Sequence, residues 1–257
     1  MIQIEPIKAF TDNYIWLART NEGVLVVDPG DSKPVIDFLT KNNLHLDGIL
    51  ITHHHFDHTG GIEELLKKYS ISEVIGPPNC HKDINIEVTE GDSVNIIGLN
   101  FKVIEVPGHT LDHIAFYLEI DTESHLFCGD TIFSSGCGRV FEGTFEQMNH
   151  SLEKLMNLPS KTEIYCAHEY TLSNLQFALM AEPDNVDLKE YELNSKNKRE
   201  RNIPTIPTTL GQELQINPFL RVAETSLREA ISDKLDHSNI TSNAEVFGFL
   251  RSWKDSL

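Results

Sequence analysis

The sequence predicts an α/β body followed by a helical C-terminal region, and three observations carry that prediction. Short apolar runs recur through residues 1–170, each closed by a Gly, a Pro or a polar cluster, as buried strands ending in loops are. Helical patterns with recognisable start signals lie between them. Beyond Tyr170 the strand-like runs give way to helical periodicity, so the expected domains are residues 1–170 and 171–257.

Composition narrows the class. A chain of 257 residues, 40% hydrophobic and 23% charged, can bury a substantial core as an ordinary globular protein. Its net charge is −18, of which −15 falls in residues 1–170 and −3 in the remainder. Nucleic acid and anionic membranes both need positive surface, so neither is an expected partner. Cys80, Cys128, Cys137 and Cys166 include no C-x-x-C pair and no disulfide framework, which predicts a reducing, cytoplasmic setting. The first residues lack the basic and apolar regions of a signal peptide, and no apolar run reaches the ~18 residues of a membrane helix.

Taken in order, residues 1–30 read as strands, with Val24, Leu25, Val26 and Val27 closing on the turn signal Asp28-Pro29-Gly30. Pro34 opens a helix to Lys41, with Ser32 as its expected cap. A strand over 48–52 follows, then a helix from Gly61 to about Tyr69 and a strand over 73–76. Residues 92–130 are rich in strand patterns, with apolar runs at 101–106, 113–118 and 125–128. Thr144 and Gln147 have capping-box spacing before a helix to about Asn157, and 163–166 is a further strand. Residues 171–202 are helical in pattern, and the charge run at 196–201 reads as a solvated helix face. Residues 203–218 read as irregular, and helices are expected over 225–235 and from Ser242, which with Glu245 forms a second capping box.

The chemistry concentrates after the 48–52 strand. Four histidines and one aspartate fall within residues 53–58, in the pattern His-x-His-x-Asp-His. In extended backbone His53, His55 and Asp57 would share a face while His54 points away. Imidazoles and a carboxylate at a strand end suit a borderline divalent metal, zinc first, with iron and manganese as alternatives. Three later runs repeat one arrangement, in which a Gly or Ala precedes a ligand-type side chain: Gly108-His109, Gly129-Asp130 and Ala167-His168. Seven positions thus match: His53, His55, Asp57, His58, His109, Asp130 and His168. There is no G-x-S-x-G elbow, P-loop or G-x-G-x-x-G.

This pattern resembles the metallo-β-lactamase superfamily, whose fold is an αββα sandwich carrying a dinuclear site. More narrowly, residues 52–61, Gly129-Asp130-Thr131-Ile132-Phe133, Gly136-Cys137-Gly138-Arg139, Phe141-Glu142-Gly143-Thr144, His168-Glu169-Tyr170-Thr171 and Asn217-Pro218-Phe219-Leu220-Arg221 resemble the glyoxalase II (hydroxyacylglutathione hydrolase) family. That resemblance includes the helical tail, and so implies an αββα metallo-β-lactamase-like body with a C-terminal helical substrate-binding domain. It implies that His53, His55 and His109 hold one metal and Asp57, His58 and His168 the other, with Asp130 bridging. Asp57 and Asp130 would then be catalytic, around a metal-bridging hydroxide that attacks a thioester carbonyl. The implied substrate is S-D-lactoylglutathione, cleaved to D-lactate and glutathione in the second step of methylglyoxal detoxification. Arg139, Tyr170, Arg251 and Lys254 take the family's substrate-contact positions, the last two as a cationic pair for the glycine carboxylate. Phe141 stands where some members have Tyr and is left out of the contact set. A monomer is the expected state. Rival readings on the same scaffold are a lactonase or β-lactamase-like hydrolase, and from another class a non-catalytic metal-binding module.

Overall fold

The computed structural model describes residues 2–234 and 242–257, and the chain divides into two compact units. One comprises residues 1–105 and 112–129, the other residues 106–111 and 130–257.

The first unit is built on two sheets. Strands β1 (Gln3–Ala9), β2 (Asn13–Arg19), β3 (Val24–Val27), β4 (Gly48–Leu50), β5 (Glu73–Gly76) and β6 (Ile86–Glu87) form one mixed sheet in that order. β1, β2 and β3 pair antiparallel, while β3 through β6 pair parallel. Helices α1 (Ser32–Asn42), α2 (Phe56–Thr59) and α3 (Ile62–Lys68) fall within the parallel crossovers. Val35 and Leu39 of α1 and Ile62 and Leu65 of α3 are fully buried with Ile15, Leu17, Val26, Ile49 and Val74 of this sheet. Each such side chain stabilises by about 1.5–3 kcal/mol. The second sheet of this unit is an antiparallel meander of β7 (Ser93–Ile96), β8 (Leu99–Glu105), β9 (Ile114–Ile120) and β10 (Glu123–Gly129). The two sheets approach closely at Gly48, where an added Cβ would lie 2.1 Å from Cδ1 of Ile96.

Local chemistry accounts for the helix starts and corrects one of them. Asp31, not Ser32, caps α1, its side chain accepting from the Lys33 amide. The histidine stretch departs further from expectation. The strand stops at Leu50, and the chain turns into α2 at Phe56, so Asp57 and His58 sit on a helical turn instead of alternating along a strand. Extended-chain reasoning therefore fails for Asp57, because a single turn of helix at α2 replaces the period of two.

The second unit holds the hairpin β11 (Ile132–Phe133) and β12 (Gly136–Cys137), helix α4 (Phe145–Met156), strands β13 (Glu163–Cys166) and β14 (Thr208–Thr209), and the remaining helices. These are α5 (Thr171–Ala181), α6 (Val186–Glu200), α7 (Leu210–Ile216), α8 (Thr225–Ala230) and α9 (Asn243–Asp255). Both expected capping boxes form, at Thr144–Gln147 and at Ser242–Glu245. The exposed face of α6 carries Lys196 and Lys198 as the charge run predicts. The 203–218 segment is not irregular: it forms β14 and α7, capped by the Thr209 hydroxyl. The expected 225–235 helix ends at Ala230 and is followed by a short 3-10 turn, Ser232–Lys234; residue 235 lies outside the described residues. Among the described residues no helix is long and apolar enough to cross a membrane.

An aromatic core holds this unit together. Phe177 stacks on Phe219 with ring centroids 5.7 Å apart, Phe219 meets Phe247 at 5.6 Å, and Phe247 meets Phe145 at 6.1 Å. Beside it, Glu213 of α7 is wholly buried and accepts from the Ser135 amide at 2.7 Å, the Thr208 hydroxyl at 2.9 Å and the Asn217 amide group at 3.1 Å. Burial pushes its carboxyl up to about 7, against the pull of those hydrogen bonds. A raised carboxyl pKa favours the protonated form in the folded chain. Its stabilising share is complete below the ordinary value near 4.5 and is lost as pH rises through about 7. Glu213→Gln, which does not ionise, is therefore expected to gain stability relative to the parent between pH 5 and pH 8, by up to about 3 kcal/mol. Denaturant unfolding across that range checks this, and a pH-independent difference would contradict it.

Candidate metal centre and substrate contacts

In the first unit the Asp28 carboxylate organises the histidine stretch. Asp28 takes a left-handed conformation at φ 54° at the end of β3, where its own amide donates to the Leu50 carbonyl. Its Oδ1 accepts from the Thr52 amide and its Oδ2 from the Thr52 hydroxyl, each at 2.8 Å. The same Oδ2 lies 3.1 Å from Nδ1 of His58. Because the Thr52 hydroxyl donates to Asp28, it accepts from His53 Nδ1 at 3.0 Å. That leaves the Nε2 lone pair of His53 facing Nδ1 of His55 at 3.0 Å.

His58 is held the same way. With its Nδ1 beside Asp28, its Nε2 lies 3.5 Å from Oδ2 of Asp57. A side-chain amide proton of Asn13 also reaches that Asp57 oxygen, at 3.0 Å. Gly30 admits the approach of α2, since a Cβ there would lie 1.9 Å from the Asp57 carbonyl oxygen. His54 turns aside and donates to Asp112 at 2.9 Å, and His113 stacks on His53 at 4.5 Å while donating to the Ile114 carbonyl.

The second unit gathers His109, Asp130 and His168. Nδ1 of His109 donates to the Arg139 carbonyl at 2.8 Å, turning its Nε2 towards Oδ2 of Asp130 at 3.4 Å. The other oxygen of Asp130 lies 3.4 Å from Nε2 of His168. One carboxylate thus presents a different oxygen to each of two imidazoles. Gly138 makes room, because a Cβ at that position would meet the Asp130 carbonyl oxygen at 2.0 Å and His109 Nδ1 at 3.2 Å. His168 is fixed by stacking on Tyr170, with centroids 4.6 Å apart and planes within 6°.

These donors fit a divalent metal. Imidazole lone pairs aimed at carboxylate oxygens repel unless a proton or a cation lies between them, and imidazole with carboxylate is the ligand mixture of zinc, iron and manganese. The backbone and carboxylate partners on the far ring nitrogens are those that orient metal-ligating histidines.

The four expected substrate contacts all lie in the second unit. Lys254 is half-buried, beside the Asn174 side-chain oxygen and 5.7 Å from the Phe219 ring centroid. Burial, and then the neighbouring Arg251, lower its pKa to about 8. Arg251 is buried, donating to the Cys137 carbonyl at 3.1 Å and the Asp255 carboxylate at 2.8 Å. Arg139 is largely exposed and pairs with the same Asp255 carboxylate at 3.2 Å. Tyr170 packs against His168 and Phe133. Phe141, outside the expected set, is exposed with its ring 5.2 Å from that of His109. Sequence reasoning passed over Asn13 and Asn174, since a lone amide carries no local signal. All four cysteines are free thiols; Cys128 and Cys137 are buried, and burial pushes the Cys137 thiol up despite Arg251.

The fold with this donor set is that of the metallo-β-lactamase superfamily, whose family model matches residues 10–168. The model for the hydroxyacylglutathione hydrolase C-terminus matches residues 169–257. The chain is 49% identical over 259 residues to a hydroxyacylglutathione hydrolase of Photobacterium profundum, covering 100% of both chains. It is 48% identical over 258 residues to one from Chromohalobacter salexigens, covering 99% of each. The crystal structure of TTHA1623 in a di-iron-bound form is similar in fold, with a TM-score of 0.61 at 23% identity over 84% of this chain and 100% of that one. The chain belongs to the hydroxyacylglutathione hydrolase family and is a hydrolase of that superfamily.

The Asp28 clamp yields a prediction. Asp28→Asn would turn an N–H₂ towards Thr52, which donates to the native carboxylate, or towards His58, whose Nδ1 lies 3.1 Å from it. It is expected to cost about 1.5–3 kcal/mol of stability and to weaken metal retention about ten- to a hundred-fold. Thermal unfolding and competition with a chelator measure the two effects. Unchanged metal retention would mean that Asp28 only closes the turn.

Proposed function

We propose that this hydrolase cleaves the thioester of 2-hydroxyacylglutathiones, with S-D-lactoylglutathione giving D-lactate and glutathione, the second step of methylglyoxal detoxification. The observation that carries the reading is identity near 48% to hydroxyacylglutathione hydrolases from end to end, C-terminal helices included. In this reading the cofactors are two divalent cations, zinc foremost, with iron or manganese as alternatives. His53, His55 and His109 hold one, Asp57, His58 and His168 the other, and Asp130 is shared. The di-iron form of a protein of the same fold supports the count of two. The same reading puts a domain boundary near residue 170, and the meeting of the two family matches at residues 168 and 169 supports it. The protein acts as a cytoplasmic monomer.

When bound, two such cations lower the pKa of water from about 15.7 towards 7 and polarise a carbonyl. The chain does the rest. Asp28, Thr52 and the Arg139 carbonyl keep protons on the outer ring nitrogens of His58, His53 and His109, so that the inner nitrogens remain donors. Asp130 offers one oxygen to each side. The leaving group is a thiolate, stable enough that no strong side-chain acid is required. Lys254, Arg251 and Arg139 supply positive charge for the glutathione carboxylates within an acidic protein, and Tyr170 contributes a hydroxyl. The raised thiol of buried Cys137 does not suit a nucleophile.

Two measurements test this. Asp130→Ala is expected to lose activity and drop below the parent's roughly two metals per chain in elemental analysis, whereas full occupancy would overturn the shared assignment. Lys254 acts on a part of the substrate that does not react, so Lys254→Met is expected to raise KM about ten- to a hundred-fold while kcat changes little. Its ammonium is lost above about pH 8, so the parent's kcat/KM for the glutathione thioester should fall as pH rises through that value. A small thioester lacking glutathione should show neither effect, and free-thiol release reads both. Equal KM values in parent and variant would remove Lys254 from the substrate site.

A further inference from the structure

The hairpin of β11 and β12 is a weak turn held from outside. Its two-residue loop is Ser134-Ser135, and only Ser135 is left-handed, at φ 56°. Two-residue hairpin loops that match strand twist need a left-handed first position and favour Gly, Asn or Asp. This loop has neither property. Its backbone groups are instead bound by helix side chains. Glu213 accepts from the Ser135 amide at 2.7 Å. Asn217, one turn further along, donates to the carbonyls of Phe133 at 3.1 Å and Gly136 at 2.9 Å. Asn174 donates to the Ser134 carbonyl at 3.0 Å.

The base of the same hairpin carries the reactive groups of this unit. Asp130 precedes it, and the Gly138 amide closes it on the Thr131 carbonyl at 3.2 Å. Cys137, at the end of β12, receives Arg251, while the Arg139 carbonyl receives His109 Nδ1. A displacement of the tip therefore moves Asp130, the acceptor that orients His109, and the carbonyl that Arg251 holds.

We propose that Glu213 is a positioning residue for this site: acting with Asn217 on the Ser134-Ser135 tip, it sets the Asp130 carboxylate and the His109 ring. The inference rests on the reading that these two side chains are metal ligands. Glu213 is not among the residues assigned to metal or substrate. What it supplies is a fully buried pair of acceptor oxygens facing three donors, one of them the tip amide.

The test compares three variants of the full-length, metal-loaded protein. Glu213→Leu keeps volume and removes both acceptors. Glu213→Gln keeps an oxygen towards Ser135 and Asn217 and can donate to the Thr208 hydroxyl. Glu213→Asp keeps the carboxyl group but withdraws it by one methylene. Circular dichroism establishes the temperature at which each is folded, and there both metal release to a chelator and the kcat and KM for a glutathione thioester are measured. Glu213→Leu is expected to release metal and to lose kcat by about ten-fold or more, the range known for outer partners of metal ligands. Glu213→Gln should restore both to within about three-fold of the parent. If Glu213→Leu does not fold, Glu213→Asp carries the test and should shift in the same direction. A folded Leu or Asp variant with parental metal release and parental kcat overturns the proposal and leaves Glu213 a stability residue. Should the parent itself fail to hydrolyse the thioester, the functional reading falls, while the metal-release comparison still decides the role of Glu213.

Discussion

The constraint on which the rest depends is that imidazoles and carboxylates are buried at the ends of strands, where each polar atom must be given a partner in a fixed direction. Leaving one such group without its partner costs about 1–3 kcal/mol, and more if it is charged. The first unit meets this demand with one side chain. Asp28 ties the end of β3 to Thr52 and through Thr52 to His53, and directly to His58. Two adjacent parallel strands thereby share one carboxylate, and the histidine stretch between Thr52 and α2 has no freedom to splay. The left-handed backbone at Asp28 is the local strain accepted for that arrangement.

The second unit solves the same problem differently. Its donors lie far apart in sequence at positions 109, 130 and 168, so no single turn can hold them. Backbone groups do part of the work, the Arg139 carbonyl fixing His109 and the tight approach of Gly138 fixing the carbonyl of Asp130. Aromatic stacking holds His168, and helix side chains hold the intervening hairpin. The cationic residues show a related economy. Asp255 takes both Arg251 and Arg139, so one carboxylate keeps two guanidinium groups in place within the same unit. Lys254 pays for its partial burial with a lowered pKa, which places its charge within reach of modest alkalinity.

Most of the architecture was legible in the chain. The capping boxes at Thr144 and Ser242 form as their spacing implies, because a cap depends only on residues within one turn. The apolar runs that end in Gly or a polar cluster are strands, because burial and the turn signal are both local properties. Errors arose where a local rule met a nearby competitor. Ser32 yielded the cap of α1 to Asp31, one residue earlier and equally able to accept. Residues 203–218 looked irregular because their prolines and threonines mask a two-residue strand and a seven-residue helix.

By itself the sequence determined the α/β class and the seven positions with ligand chemistry, since these follow from residue type and spacing, and its motifs pointed to the family by resemblance. Only the tertiary structure decided how those side chains are aimed. Asp57 and His58 lie on a helical turn that the strand period does not anticipate. The roles of Asn13, Asn174 and Glu213 came to light only in their contacts. The physical reason is that a hydrogen bond between residues many positions apart has no signature in spacing. It depends on the three-dimensional placement of two elements, and a buried carboxylate or amide looks, along the chain, like any other polar residue on a surface.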